Sequence, residues 1–444
     1  VIAGCVSIDI TPDLGTPIGG NIREDNISRG IHDPLYANIL YFNNSQNELL
    51  FVGLDIIGIH RAFGKAIKDR IHSIHRIPKE HIILFATHTH SGPDVMEAFK
   101  DGYHPLVQSY LKILEDKVVQ GVHECKQNTW PAQLRLGKGV EYALSFNRRL
   151  IMKDGILRMN WEDIDPREVD RVAGPIDPEL YVLTVHDRHD SIRAMLINFT
   201  LHPAVLVGKD WLFSRDYIHR LTEALQKELR HDLVVLFANG AEGNINHIDI
   251  KNPNQTRSFD EADRIGYALY KKVLKVFNDS QYFISNDINV CSVKIDLPRR
   301  SITGKEFNDA LSLFHKTKGK IPSLLDGVPD EVYAKEIILL FKENKSKVTT
   351  ELQAVHLGDT AIVCLPGEFF VEQGLAIKER SPYKHTMVFG LANDYIGYVP
   401  TEEAFEQGGY EVRTARTSQL APHAGKIVVE KALSMLHLLR GGDC

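Results

Sequence analysis

The chain has 444 residues, 43% of them hydrophobic and 25% charged, and a formal net charge of −6, the balance of an ordinary soluble globular protein. Charges of both signs are interspersed and no apolar run approaches the roughly 20 residues that cross a bilayer. These patterns exclude an electrostatic footprint for nucleic acid and an integral membrane segment, and point to a small-molecule substrate; the oligomeric state stays open.

In chain order, strands are expected at residues 3–10, 38–42 and 49–57, with a Gly/Pro-rich stretch through Gly20 between the first two. Helical spacing over 61–75 leads to a strand at 81–87, and Leu106, Tyr110, Leu111, Leu114, Val118 and Val122 mark an amphipathic helix over 106–123. Residues 132–199 read as mainly β, with runs at 133–137, 158–161, 180–186 and 192–199. Helix 216–230, strand 232–238, loop 239–244 and helix 260–277 make a further strand, loop, helix unit. The polar stretch 302–345, with Gly and Pro breaks at 319–329, reads as a peripheral helical insertion. Strand, helix and strand return at 351–365, 371–380 and 386–392, followed by a Gly/Tyr-rich loop at 393–413 and a closing helix at 425–439. The expected fold is α/β, with mixed sheets and flanking helices in one continuous domain over 1–444, without internal repeats.

Five scattered cysteines, Cys5, Cys125, Cys291, Cys364 and Cys444, lack CxxC spacing. They read as reduced thiols and argue against a disulfide framework or a thiolate zinc site. Cytoplasmic residence fits that reading, although a leader already removed leaves no trace.

Chemistry concentrates at strand ends. His88 and His90, in Thr87-His88-Thr89-His90-Ser91-Gly92-Pro93, leave an apolar strand at spacing i, i+2. The pleat puts both on one face, as for a metal or catalytic site, or for an ordinary histidine pair. His202 follows another apolar strand, before Pro203. Glu368 sits in the apolar stretch Val363-Cys364-Leu365-Pro366-Gly367-Glu368-Phe369, as a partnered or metal-bound carboxylate, or as a helix N-terminal glutamate. Asp55 reads equally as a contact of the site or as a strand-end turn former or cap, His32 and Asp216 read first as structural residues, and Glu242 and Asn244 as substrate contacts placed by their loop.

The ordered set Thr87–Pro93, Asn147-Arg148, His202, Pro366-Gly367-Glu368-Phe369 and Tyr395-Ile396-Gly397-Tyr398-Val399-Pro400-Thr401 resembles the neutral/alkaline, non-lysosomal ceramidases. Val6-Ser7-Ile8-Asp9-Ile10-Thr11-Pro12 and Gly30-Ile31-His32-Asp33-Pro34-Leu35 resemble that family's N-terminal segment. The resemblance implies a ceramidase-like catalytic domain with one zinc ion held by His88, His202, Glu368 and Tyr398. It implies His90 as general acid/base beside Arg148 and Tyr410. Two departures stand out: Asn246 replaces a family serine in the loop after Phe237-Ala238, and the β-sandwich domain that follows in full ceramidases is not expected here.

The expected function is a zinc-dependent amidohydrolase cleaving an N-acyl bond with water activated by the metal. Glu242, Asn244 and Asn246 are the expected substrate-binding residues. The same centre acting on an ester, a glycosidic linkage or another small polar substrate is the alternative, and a binding module with a vestigial site is a third reading.

Overall fold

The computed structural model describes residues 1–22, 25–96, 99, 102–207, 210–283, 287–318, 320 and 328–442. Its three main sheets repeat one topology. In the first, Ile2–Asp9, Tyr36–Asn43 and Glu48–Leu54 form an antiparallel meander; helix Arg61–His75 then crosses over, and Ile82–Ala86 lies parallel to Glu48–Leu54. In the second, Gln133–Val140, Glu179–His186 and Ile192–Phe199 make the meander, with Val234–Asn239 added in parallel after helix Tyr217–Glu228. In the third, Ile288–Pro298, Lys347–Leu357 and Thr360–Cys364 are followed by helix Val371–Arg380 and the parallel strand His385–Phe389.

Alternation of side chains across each strand explains how these sheets pack. Phe51, Ile83 and Phe85 of the first sheet meet Leu183, Leu196 and Leu236 of the second and Val355, Ile362 and Phe389 of the third in one central core. Their neighbours in sequence point outward. Val52, Leu84 and Ala86 pack under helices Arg61–His75 and Pro105–Gln127. Ile197, Val235 and Phe237 pack under Tyr217–Glu228 and Phe259–Asn278, and Ala354, Val363 and Val388 under Val371–Arg380 and Ala424–Gly441. Strands buried on both faces read as continuous apolar runs, which is why Ile82-Ile83-Leu84-Phe85-Ala86 has no polar alternation.

The repeat is one of architecture and not of sequence: chain direction and burial recur, while residue identities do not. Each parallel pair points its C-terminal ends to the same end of the molecule, where α/β proteins collect ligands. The connection after each sheet's first strand emerges there too.

The expected insertion is present as helices Gly304–Thr317 and Asp330–Glu343, packed on each other through Ala310, Ala334 and Ile338. It is peripheral to the sheets, yet Val328 and Val332 carry it to the cavity at the strand ends. Most of the breaks expected at 319–329 lie outside the described residues, as does Cys444. The strands at 49–57 and 386–392 end earlier than expected, at Leu54 and Phe389, because the chain there turns into the site loops. Cys5, Cys125 and Cys364 are free thiols, whereas Cys291 is disulfide-bonded, so the expectation of reduced thiols fails at that position.

Candidate metal centre

Loops at equivalent strand ends supply the site. The first sheet contributes His88 and His90 after Ile82–Ala86, the second His202 after Ile192–Phe199, and the third Glu368 after Thr360–Cys364. The two histidines of the first loop do not converge by the strand pleat. The strand stops at Ala86 and His88 takes φ 70°, a left-handed conformation uncommon outside glycine. That twist turns the imidazole so that Nδ1 faces the Ile57 carbonyl and Nε2 faces inward. Gly20, at φ +87°, lies against the His90 ring, and a Cβ there would sit 2.7 Å from the ring's Cγ.

The inward atoms cluster tightly. His90 Nε2 lies 3.0 Å from His202 Nε2 and 3.4 Å from His88 Nε2. Glu368 Oε2 lies 3.6 Å from His88 Nε2 and 4.0 Å from His202 Nε2, and has no hydrogen-bond partner. Donors bound to zinc at about 2.0–2.1 Å in tetrahedral geometry stand roughly 3.4 Å apart, so the spacing fits an ion. His88, His202 and Glu368 are each at most 4% exposed, and two imidazoles with a carboxylate are a donor set that zinc accepts.

Electrostatics follow from burial. Desolvation, with His88, His90 and Arg148 nearby, pushes the His202 pKa well below its ordinary value and keeps the ring neutral, as a metal ligand must be. Burial works against ionisation of Glu368, but His88, Arg148 and the Tyr395 hydroxyl more than offset it and hold the carboxyl at about 2. Burial likewise opposes charge on Arg148, and Tyr398, Glu411 and Glu368 reverse that, so its pKa is raised.

Arg148 donates from Nε to Glu411 Oε1 at 2.9 Å and from Nη2 to the Gly243 carbonyl at 2.6 Å. Its guanidinium carbon sits 5.2 Å, 5.5 Å and 5.9 Å from the Trp161, Tyr398 and Tyr410 ring centres. Tyr398 is brought beside Glu368 by a short parallel pairing, Glu368↔Tyr398, and its ring packs edge-on against Tyr410 at 5.6 Å. A cavity of about 280 Å³ opens over the cluster. His88, His90, His202, Glu368, Arg148, Tyr398 and Tyr410 line one end; Ile22, Met96, Phe99, Val207, Val328 and Val332 form an apolar wall.

Of the expected substrate contacts, Asn246 lines the cavity, with its amide paired reciprocally to Asn160 at 2.7 and 2.8 Å. Asn244 does not line it: Oδ1 accepts from Val371 N and Nδ2 donates to Glu372, fastening the next helix. Glu242 is wholly buried behind the cluster and outside the cavity lining. Asp55 is spent on a 2.6 Å ion pair with Arg215, and Asp216 caps helix Tyr217–Glu228. His32 Nδ1 meets Asp33, and its ring stacks on Phe259.

Tyr395 has no assigned role in the sequence reading, and here it donates its hydroxyl to Glu368 Oε1 at 2.7 Å. Its spacing of three residues from Tyr398 on a glycine-bounded loop was the available signal. Glu411, wholly buried between two arginines, had only its place next to Tyr410 to mark it.

Residues 2–247 match the family model of the neutral/alkaline non-lysosomal ceramidase N-terminal region. The neutral ceramidase of Pseudomonas aeruginosa is 22% identical over 441 residues, covering 86% of this chain and 64% of that protein. The chain thus spans less than two thirds of that relative's length. The crystal structure of neutral ceramidase from Pseudomonas aeruginosa superposes with a TM-score of 0.76 at 21% identity, covering 99% of this chain and 74% of that one. A ceramidase complexed with C2 gives 0.75 at 19% identity, with coverages of 99% and 75%. At these identities the structural likeness shows a shared fold.

Proposed function

The chain belongs to the neutral/alkaline non-lysosomal ceramidase family, and we propose that it is a zinc-dependent hydrolase cleaving an amide, specifically an N-acyl bond. The convergence of His88 Nε2 and His202 Nε2 on Glu368 Oε2, at 3.6 and 4.0 Å, with no hydrogen bond to that oxygen, carries this reading. In it, His88, His202, Glu368 and Tyr398 hold the ion. When bound, zinc supplies Lewis-acid polarisation of the scissile carbonyl and lowers the pKa of water toward neutrality.

The chain's own residues supply the rest. His90 is 3.0 Å from His202 and faces the cavity, a position from which its Nε2 accepts a proton from the attacking water and returns it to the leaving amine. Arg148, held charged and fixed by Glu411 and Gly243, and the Tyr410 hydroxyl, kept protonated by burial at a pKa of about 12, stabilise negative charge on the carbonyl oxygen. The apolar wall takes the acyl group and excludes water from it.

A hydrolysis screen over N-acyl amides, esters and glycosides with zinc-replete protein tests the reading. Turnover of N-acyl amides is expected. Exclusive turnover of esters or glycosides would replace the amide assignment, and a wild-type protein without stoichiometric zinc would overturn the zinc one.

A further inference from the structure

The second sheet sends two loops toward the site, and the first of them carries His202. The other follows Val234–Asn239 and carries Glu242, three residues past the strand end, at the position topologically equivalent to the His88–His90 loop. Glu242 is 0% exposed and neither carboxylate oxygen has a hydrogen-bond partner. Buried carboxylates are found paired, protonated or on a metal. Its nearest functional neighbours are His202 and Glu368, and one donor atom from each of the three lies within 4.8 Å of the others. Space for the group is provided by Gly390, where a Cβ would stand 2.6 Å from Glu242 Oε2. Two carboxylates facing an imidazole in a dry pocket repel one another unless a proton or a cation lies among them.

We propose that Glu242 is a further metal ligand, binding the ion from its buried side together with His202 and Glu368. This rests on the zinc reading above. A second carboxylate shifts the donor set toward oxygen, so the centre also accepts harder cations such as Mn²⁺ more readily than a set with one carboxylate.

The test measures zinc affinity by competition with a chelator, and the visible absorption of the Co²⁺-loaded protein, for wild type, Glu242→Gln and Glu242→Ser. Circular dichroism checks the fold of each, and the smaller serine keeps the test open should glutamine fail to fold. The expected result is a loss of zinc affinity of about tenfold or more, together with a changed cobalt spectrum as the coordination number falls. Unchanged affinity overturns the proposal. So does weakened affinity with a superimposable cobalt spectrum, which places Glu242 outside the coordination sphere. A wild-type protein that binds neither metal overturns the zinc reading itself, an outcome distinct from both.

Discussion

The Tyr395 hydroxyl donates to Glu368 Oε1 at 2.7 Å and leaves Oε2, on the side of His88 and His202, without a hydrogen-bond partner. One carboxylate oxygen is thereby fixed and the other is aimed, the arrangement by which an outer residue orients a ligand. Tyr395→Phe removes one oxygen and keeps the ring. We expect the variant to fold and to bind zinc about 10- to 100-fold more weakly, as measured by chelator competition. Affinity equal to wild type would show that the hydroxyl does not orient the ligand.

On the proposed reading His90 transfers the proton and does not bind the metal. His90→Ala is expected to keep stoichiometric zinc by elemental analysis while turnover falls by about 10²–10⁴. If zinc is lost along with activity, His90 is itself a ligand, as its 3.0 and 3.4 Å spacings to the other imidazoles permit.

Much of the fold was legible because double-sided burial and helical spacing leave strong patterns: Ile82–Ala86 and Tyr217–Glu228 were placed within a few residues. The threefold architecture was not. A repeat of this kind needs only strand length, chain direction and an in/out alternation of apolar residues, which Phe51, Leu196 and Ile362 satisfy with different side chains. His88 and His90 were paired by the right spacing through the wrong geometry, since a left-handed backbone at His88 cannot be read from a pleat. Asn244 read as a substrate contact because it sits in a loop at the strand end, but its amide is consumed in holding Val371 and Glu372, contacts 127 and 128 residues away.

Glu411 holds two guanidinium groups at once, Arg148 Nε on Oε1 at 2.9 Å and Arg149 Nη1 on Oε2 at 2.6 Å, all at most 5% exposed at the side chain. Removing the carboxylate leaves two buried positive charges facing each other. Glu411→Ala is expected to lose about 3–5 kcal/mol of stability by urea denaturation, and Glu411→Gln less. A loss under about 1 kcal/mol, the size of a pair that contributes little, would mean that the arginines find other partners.

Val332, 0% exposed at the start of helix Asp330–Glu343, carries the insertion into the cavity wall. Groups that fill an apolar pocket are discriminated by about 1–3 kcal/mol per methylene. Val332→Phe is therefore expected to lower kcat/KM about tenfold or more for the largest acyl groups accepted, and Val332→Ala to move the preference toward longer ones, with zinc content unchanged. Identical chain-length profiles in a series of N-acyl substrates would remove the insertion from substrate selection.

Asp216 ties the His202 loop to the helix behind it: Oδ2 accepts from Leu206 N at 2.8 Å and Oδ1 from Tyr217 N at 2.7 Å, with the residue itself at φ 57°. Burial raises its carboxyl from 3.8 to about 7, and these two N–H groups only partly offset the effect. Between those values the folded chain holds a proton that the unfolded chain has released, so its contribution is complete below 3.8 and declines as pH rises to about 7. The side-chain amide introduced by Asp216→Asn cannot titrate. The stability of wild type relative to Asp216→Asn should therefore fall by about 4 kcal/mol between about pH 4 and 7 and stay level above it, read from paired urea denaturations. A difference that is flat or rises with pH would mean that Asp216 is ionised in the fold, and that the His202 loop is clamped by a charge.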